Sequence, residues 1–425
     1  MKPPEKIRSS RNVAVRSCLG VALLVCTYAV IRRGMGSHYF QKKSPEAIQT
    51  AIRWDPHNAL YYNALATVRH FYADNENPFE QVKLYQRATS LSPQSAQFWA
   101  DLGTAYEWAG NRDKARQALE RARELFPNSP EINWKLANFC VRAGKTSEAL
   151  QALRKVLIGG GVPQEDVFAL AESAAADKAA ILQETVPPEA PALFGYLNYQ
   201  VKAGDMVAAK EVWEQVLALK LPFDLPITFF YLDALIQKRE TEQLAKAWSA
   251  LGERFPEKVG SLLAAPNLVA NGSFEDDILN GGLDWRVLPV EGASVTVDSQ
   301  EAFEGARSVR IEFDGTQNLD YGHLLQYVLV RPNARYLFSA YIRADSISTD
   351  SGPRFQVFNP YGLSKEFYAT ESVVGTCGWT EQRLEFKTAA DTHLLLIRVA
   401  RPPSSKFDNK IAGTVWIDRV RLTEE

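Results

Sequence analysis

The sequence predicts a multidomain chain: an N-terminal transmembrane helix, then an α-helical solenoid, then an all-β sandwich of the jelly-roll type. Three observations lead to this prediction. A basic segment precedes an apolar run, a helical pattern then recurs at a fixed spacing, and short alternating strands fill the remainder. A chain of 425 residues has room for two or three domains.

The N-terminal segment is basic and leads into an apolar run. Residues 1–12 form a basic tail, and residues 13–31 are predicted to cross a membrane as an uncleaved anchor. The uncharged part, Ser17–Ile31, is shorter than the roughly 20 residues that span a bilayer, but the flanking Arg16 and Arg32 can snorkel. A cleaved signal peptide and an amphipathic or buried helix are the alternatives.

The orientation of this helix follows only weakly from charge, because basic residues lie on both sides of the apolar run. The length of the basic tail and the nature of the C-terminal domain favour a cytoplasmic N-terminus. The bulk of the chain is therefore predicted on the extracytoplasmic side, either periplasmic or extracellular.

Composition excludes several functions. The formal net charge is −2 and no basic stripe is interleaved with aromatic residues, so no nucleic acid is expected as a partner. The four cysteines show neither a disulfide framework nor metal-ligand spacing. No zinc-protease, serine-hydrolase or P-loop motif occurs, so the chain is predicted not to be an enzyme.

The stretch from Ala96 to Pro127 shows the helical pattern most clearly. It sets large, small and aromatic residues on two short helices and ends in proline, with Trp99, Leu102, Gly103, Tyr106, Ala115, Leu119 and Ala122 at the spaced positions. A shift of 34 residues recovers much of the pattern, with Leu136 in place of Leu102 and Ala149 in place of Ala115. A fixed period with two apolar helical faces indicates stacked helical repeats.

These residues and their spacing resemble the tetratricopeptide repeat. The array is predicted over residues 44–260, with the clearest repeats at 96–129 and 130–163 and a degenerate stretch at 164–189. Residues 44–56 match only the second half of a repeat.

In such an array, helix residues that face away from the inter-repeat core line a concave groove. An amide- and aromatic-bearing groove suits an extended peptide or a partner helix, so a protein partner is predicted. The alternative is that these are solvated side chains without a partner. The predicted groove residues are Asn63, Thr67, His70, Gln97, Thr104, Glu107, Trp108, Trp134, Asn138 and Arg142.

After Pro266 the helical periodicity stops and short alternating runs appear. In one run, Tyr336, Phe338, Ala340 and Ile342 share a face. Eight or more antiparallel strands within residues 266–425 predict the jelly-roll sandwich.

This domain resembles the carbohydrate-binding jelly-roll modules appended to xylanases and glucanases. The resemblance is carried by the opening Asn267–Glu275 segment, by Leu283-Asp284-Trp285, and by the closing Val415–Leu422 segment. It implies a structural calcium ion held by Glu275 and Asp418, with no other cofactor required. The alternative is that both carboxylates cap backbone groups or form ion pairs without a metal.

Sugar binding in these modules uses aromatic faces together with amide and arginine groups. The strand residues among the candidates are predicted to lie opposite the core, on one concave face; Trp379 is a further candidate that also fits a core position. The glycan-binding candidates are Trp285, Tyr341, Arg343, Gln356, Phe358 and Tyr361.

Together these features predict a non-enzymatic, membrane-anchored scaffold. Its helical array would recruit a protein, and its sandwich would bind a polysaccharide in bacterial exopolysaccharide or cell-envelope assembly. The alternatives are a pure protein–protein adaptor whose sandwich binds no sugar, and a glycan-active enzyme without a recognisable motif.

Overall fold

The structure is a computed structural model that describes residues 5–72, 78–259, 266–362 and 366–425. The side chains of residues 5–15 and 70–72 are not described, so the side chains of the predicted basic tail lie outside the described part, as does that of His70. The chain divides into two compact units, Met1–Tyr199 and Gln200–Glu425. Each is treated by itself below.

The first unit is entirely helical in its described part. Its helices are α1 (Glu5–Phe40), α2 (Pro45–Trp54), α3 (Ala59–Tyr72), α4 (Pro78–Leu91), α5 (Ala96–Trp108), α6 (Arg112–Leu125), α7 (Pro130–Arg142), α8 (Thr146–Gly159), α9 (Gln164–Ala174), α10 (Lys178–Glu184) and α11 (Ala190–Ala203), the last of which runs on into the second unit.

Helix α1 joins the apolar segment to the solenoid without a break. Within the described residues it is the one helix long and apolar enough to cross a membrane, over Arg16–Phe40, and a signal sequence would show the same features. Its last turn packs Phe40 against Tyr61, with ring centroids 4.8 Å apart. Arg32 Nε donates to the carbonyl of Trp54 at 2.6 Å. The end of α1 therefore supplies the helix that the half-repeat at 44–56 lacks in the sequence pattern.

Local chemistry explains where the repeat helices begin and how closely they pack. Ser129 Oγ accepts the backbone N–H of Ile132 at the start of α7, and Pro130 occupies the first helical position. Between α5 and α6 a Cβ on Gly103 would lie 2.6 Å from Leu119 Cγ. Only glycine allows the two helices to approach this closely.

The second unit combines helices and strands. A 3₁₀ turn at Leu225–Thr228 precedes its second full helix. Its elements are α12 (Met206–Ala218), α13 (Phe229–Lys238), α14 (Thr241–Arg254), β1 (Arg286–Val287), β2 (Ala293–Asp298), β3 (Ser308–Asp314), β4 (Tyr321–Leu329), β5 (Arg335–Ile347), β6 (Arg354–Phe358), β7 (Phe367–Ala369), β8 (Gly375–Lys387), β9 (Leu394–Arg401) and β10 (Ala412–Glu424).

The strands form two five-stranded antiparallel sheets. Sheet A has the order β1-β4-β9-β6-β7, and sheet B has the order β2-β3-β10-β5-β8. Alternate residues of each strand enter one apolar core between the sheets, for example Phe338 from β5 and Phe355 from β6, whose ring centroids are 5.2 Å apart. The predicted fold class is confirmed: a helical solenoid, then a jelly-roll sandwich, with one apolar N-terminal helix.

Candidate functional site

Several predicted groove residues of the helical unit contact one another. Asp101 on α5 accepts hydrogen bonds from Asn63 Nδ2 at 2.9 Å and from Gln97 Nε2 at 3.1 Å, and it pairs with Lys135 Nζ at 2.5 Å. Gln97 Nε2 also donates to Glu131 at 2.8 Å. These five residues, called the Asp101 cluster below, join α3, α5 and α7 through polar contacts.

Asp101 and Lys135 are absent from the predicted groove set. They are 34 residues apart, which places them at the same position of successive repeats. Opposite charges one repeat apart are a signal visible in the sequence, and that signal would have identified the pair.

Four further groove candidates, Glu107, Arg142, Thr67 and Thr104, and the Asn138 amide also make hydrogen bonds within the helical unit. Arg142 donates two hydrogen bonds to Glu107, at 2.7 and 2.8 Å. The hydroxyls of Thr67 and Thr104 donate to carbonyls of their own helices, and Asn138 Nδ2 donates to the carbonyl of Trp134. Trp108 is more exposed than Trp134, with 47% of its surface accessible. The surface is therefore a pre-ordered polar face beside an accessible tryptophan.

The two predicted calcium ligands hold one loop of the sandwich. Asp418 accepts the backbone N–H groups of Phe303 and Glu304 at 2.8 and 2.9 Å, and Glu275 Oε1 accepts those of Ala306 and Arg307 at 2.8 and 3.0 Å. Burial raises the pKa of Asp418 above its usual value, and the nearby charge of Glu275 adds to this effect.

Backbone N–H groups thus occupy oxygens that a calcium ion would need. Among the described residues, no group of three or more His, Cys, Asp or Glu side chains is arranged to hold a metal. The donor set fits calcium poorly, because such ions take six to eight oxygen ligands. Calcium binding therefore stays a prediction, and a calorimetric titration of the chain with CaCl₂ would test it.

Trp285 is the clearest correction among the sugar-binding candidates. It is fully buried, its Nε1 donates to the carbonyl of Asn271 at 3.1 Å, and its ring packs on Phe274. A side chain without exposed surface cannot stack on a sugar. Trp285 is a core residue.

The other candidates do not share one face, contrary to the prediction. Tyr341 and Arg343 are on β5 in sheet B, whereas Gln356 and Phe358 are on β6 in sheet A. Because the two sheets pack face to face, their outer surfaces point in opposite directions. The sequence pattern shows which residues avoid the core but not to which sheet each strand belongs.

On sheet B, a loop covers the candidate residues. The Phe303 ring stacks on Tyr341 with centroids 3.6 Å apart, and Trp379 meets Phe303 edge-on at 5.9 Å. Arg343 pairs with Glu301 of the same loop. Phe303 therefore occupies one face of the Tyr341 ring, where a sugar would otherwise stack.

On sheet A, a row of large side chains crosses four strands. The register pairs Tyr327 with Leu396, Leu396 with Phe358, and Phe358 with Phe367. These residues alternate with core positions such as Ile397 and Val357, so they lie on the outer face. This set, Tyr327, Leu396, Phe358 and Phe367, is called the aromatic row, and 55% of the Phe367 surface is accessible.

Polar groups lie directly beside the aromatic row. Arg398 of β9 is paired in register with Gln356 of β6, and its Nε donates to Gln356 Oε1 at 2.8 Å. The guanidinium of Arg398 lies 5.1 Å from the ring centroid of Phe358. Aromatic surface with a small number of fixed polar groups is the usual composition of a ligand site.

Helix α13 contacts one end of this outer face. Tyr361 Oη donates to the carbonyl of Ile236 at 2.8 Å, and Arg239 lies 4.9 Å above the Tyr361 ring. Asp233 pairs with Arg286 at 2.5 Å, and Arg286 lies 5.3 Å from the centroid of Tyr327. Burial raises the pKa of Tyr361 to about 12. Tyr361 therefore serves the contact between helix and sandwich, which sequence reasoning missed.

Comparison with known proteins supports the repeat assignment. Residues 82–131 and 109–159 match the tetratricopeptide repeat model, so the helical unit contains such repeats. Cellulose synthase operon protein C of Pseudomonas fluorescens (strain SBW25) is 30% identical over 112 residues. That match covers 26% of this chain and only 8% of the relative, so the chain spans a small part of the relative's length.

Solved structures with local similarity include two carbohydrate-binding modules and the MamA protein. A CBM4 structure is 15% identical, covering 37% of this chain and 99% of that one, at a TM-score of 0.29. A family 16 carbohydrate-binding module is 18% identical over 37% of this chain and 100% of that one, at 0.27. MamA is 17% identical over 46% of this chain and 98% of that one, at 0.30.

Proposed function

We propose that this chain is a non-enzymatic, membrane-anchored scaffold of bacterial exopolysaccharide or cell-envelope assembly. Its helical unit binds a protein partner, and its sandwich binds a polysaccharide on the outer face of sheet A. The observation that carries the glycan part is the aromatic row with Arg398 and Gln356 beside it. An uncleaved α1 tethers the chain, with the bulk on the extracytoplasmic side.

Protein binding is supported by the tetratricopeptide repeats, which are an interaction scaffold. The Asp101 cluster gives a groove whose side chains are already ordered, which lowers the entropy cost of binding an extended peptide. Trp108 offers accessible aromatic surface of the kind that dominates protein interfaces.

The proposed role in polysaccharide assembly draws support from the curated relative described above. Its name refers to a cellulose synthase operon, and the similarity is confined to 112 residues.

Polysaccharide binding can be tested by affinity gel electrophoresis of the full chain in a mild detergent against a panel of envelope polymers. Phe358→Ala removes the centre of the aromatic row, and an aromatic contact of this kind contributes about 0.5–1.5 kcal/mol. We expect roughly a threefold to tenfold loss of affinity. Tyr341→Ala is the matched control, because it removes an aromatic ring from the opposite sheet and should leave binding unchanged.

A second candidate function is favoured because other parts of the chain contact the outer faces of both sheets. Phe303 lies over Tyr341 on sheet B, and α13 contacts one end of sheet A. If no polymer slows the migration of the full chain, the sandwich binds no glycan and the chain is a protein–protein adaptor.

A further inference from the structure

The outer face of sheet A carries two arginines close together next to the aromatic row. Arg398 is on β9 and Arg354 is on the neighbouring β6, where the register pairs Arg398 with Gln356 and Arg354 with Ala400. The two arginines are therefore diagonal neighbours, which brings their Cβ atoms to within roughly 8 Å. Both point outward, because the neighbours of Arg354 and of Arg398 along their strands enter the core: Phe355 on β6, and Ile397 and Val399 on β9.

Neither arginine has a carboxylate partner in the described part of the chain. Arg398 donates its Nε to Gln356, and no hydrogen bond is made there by its two Nη atoms. The Nε of Arg354 is buried without any hydrogen-bond partner. Gly322 of β4 leaves space for the Arg398 guanidinium, since a Cβ at Gly322 would lie 3.1 Å from its Nη1.

Three other arginines of the sandwich each have an acidic partner. Arg286, at the α13 end of the same face, pairs with Asp233. On sheet B, Arg343 pairs with Glu301, and Arg419 pairs with Glu304 at 2.9 Å. The absence of an acidic partner is thus particular to Arg354 and Arg398 among these five.

Two uncompensated guanidinium groups side by side are unfavourable in the free protein, and a buried unpaired N–H adds a desolvation cost. An anionic ligand would offset the repulsion between the two guanidinium groups. Guanidinium groups match a planar carboxylate particularly well, because each can donate two parallel N–H bonds.

We infer that the outer face of sheet A binds an acidic polysaccharide, with a uronate carboxylate held by Arg354 and Arg398 and the neighbouring sugar ring placed on the aromatic row. The inference rests on the proposed glycan-binding function of this face and names the class of polymer. The carboxylate contacts provide specificity for acidic sugars, and the aromatic row provides contact area independent of charge.

The test compares polygalacturonate with the same polymer after chemical reduction of its carboxyl groups, which removes the charge and keeps the linkage. Binding to the full chain in a non-ionic detergent is measured by calorimetry. We expect the acidic polymer to bind about tenfold more tightly than the reduced one, as the loss of a charge-assisted contact predicts. The affinity for the acidic polymer should also fall as salt is raised.

Arg354→Gln and Arg398→Gln are each expected to reduce affinity for polygalacturonate about fivefold to tenfold, and to reduce affinity for the reduced polymer by a smaller factor. Arg398→Lys should give an intermediate loss, because it keeps the charge but cannot donate in parallel. Arg383→Gln on sheet B, where Arg383 pairs with Glu385, is the control for bulk charge and should bind like the wild type.

The outcomes separate the inference from the function on which it rests. Equal binding of the acidic and reduced polymers would overturn the inference and leave glycan binding intact. Failure of every polymer to bind would overturn both. Equal binding of dextran sulfate, or an equal loss in Arg383→Gln, would show attraction to any polyanion and would also overturn the inference. The wild-type comparison holds even if a variant fails to fold.

Discussion

At the scale of the residue, the sandwich buries the carboxyl group of Asp284 beside Trp285. Its Oδ2 accepts the backbone N–H of Leu279 at 2.7 Å, whereas its Oδ1 is buried without a partner. Burial raises the pKa of Asp284 to about 6. The carboxylate form is therefore less favourable in the folded chain than in the unfolded chain.

Asp284→Asn should change how stability depends on pH. Between about pH 4 and 6 the folded wild type holds more protons than the unfolded chain, so its stability falls as pH rises through this window. The asparagine side chain of the variant does not titrate, so the variant does not lose stability in this way. Relative to the wild type, its unfolding free energy should rise by about 2–3 kcal/mol from pH 4 to pH 7.

The measurement is urea unfolding of the sandwich, followed by tryptophan fluorescence at both pH values. A difference between variant and wild type that stays constant from pH 4 to pH 7 would show that Asp284 titrates normally. The wild type measured alone would be less informative, because the pKa values of other acids in the sandwich are also shifted, upward by burial or downward by hydrogen bonds. One example is Asp298, whose pKa is lowered mainly by the backbone N–H of Gln300.

Single residues also mark where sequence reasoning fails. The pattern correctly places Phe338 in the core, because alternation reports which side of a strand is buried. It cannot show that Trp285 is enclosed by distant segments or that Phe303 stacks on Tyr341. These contacts depend on how loops and strands far apart in sequence come together, and a local periodicity contains no information about them.

At the scale of the element, the repeat helices are joined by polar contacts as well as by apolar packing. The repeat period was predictable because small buried residues such as Ala115 and Ala149 recur with it. The sequence also contains the 34-residue spacing of Asp101 and Lys135, a pattern that indicates a charge pair between successive repeats. Asp101 has little exposed surface, with 14% of its side chain accessible, so its contacts are less screened than those of surface pairs.

Asp101→Asn should destabilise the stacking of α3, α5 and α7. It removes the charge that pairs with Lys135 and weakens the bonds from Asn63 and Gln97, at an expected cost of about 1–2 kcal/mol. Glu148→Gln is the matched control, since Glu148 also bridges two repeats but its pair with Arg116 is more exposed. That change should cost less than about 0.5 kcal/mol.

Hydrogen exchange of the backbone amides of α3, α5 and α7 measures both variants in the full chain. The expected result is faster exchange in these helices for Asp101→Asn alone. Equal effects of the two substitutions would mean that the Asp101 cluster contributes no more than an ordinary surface pair.

At the scale of the whole molecule, the compact unit that holds the sandwich begins at Gln200 and includes α12, α13 and α14. Two consecutive glycines, Gly281 and Gly282, allow these helices to contact the sandwich closely. The side chains of Phe229 and Trp248 occupy the positions where a Cβ on Gly281 and on Gly282 would lie. Gly282 also has a φ of +62°, which L residues rarely adopt. In the sequence, the helical periodicity gives way to alternating strands near Pro266, which suggests a domain boundary there. This change of pattern contains no information on whether the helices before Pro266 pack on the strands after it.

Gly282→Ala should loosen the contact between the helices and the sandwich. Gly362→Ala is the matched control, because Gly362 has a similar φ of +66° but nothing within 4 Å of its Cβ position. In both variants, an alanine with positive φ costs about 1–2 kcal/mol of stability. Only Gly282→Ala also overlaps with Trp248, at a further cost of about 1–3 kcal/mol.

Limited proteolysis of the full chain, with cleavage between α14 and β1 as the readout, distinguishes them. Cleavage should become faster in Gly282→Ala than in Gly362→Ala. Identical rates would show that the contact of Gly282 with Trp248 does not hold the helices to the strands.

The unbroken α1 has a mechanical consequence. From Arg32 to Phe40 the helix advances only about 12 Å, at 1.5 Å per residue. Phe40 and Arg32 are both already held by the first helical pair. If the apolar part of α1 crosses a bilayer, no flexible linker separates the membrane-spanning segment from the solenoid. The two would then move together as one continuous helix. Any tilt of the lipid-embedded segment would then rotate the first repeats by the same angle, so the bilayer itself would set the direction in which the solenoid leaves it.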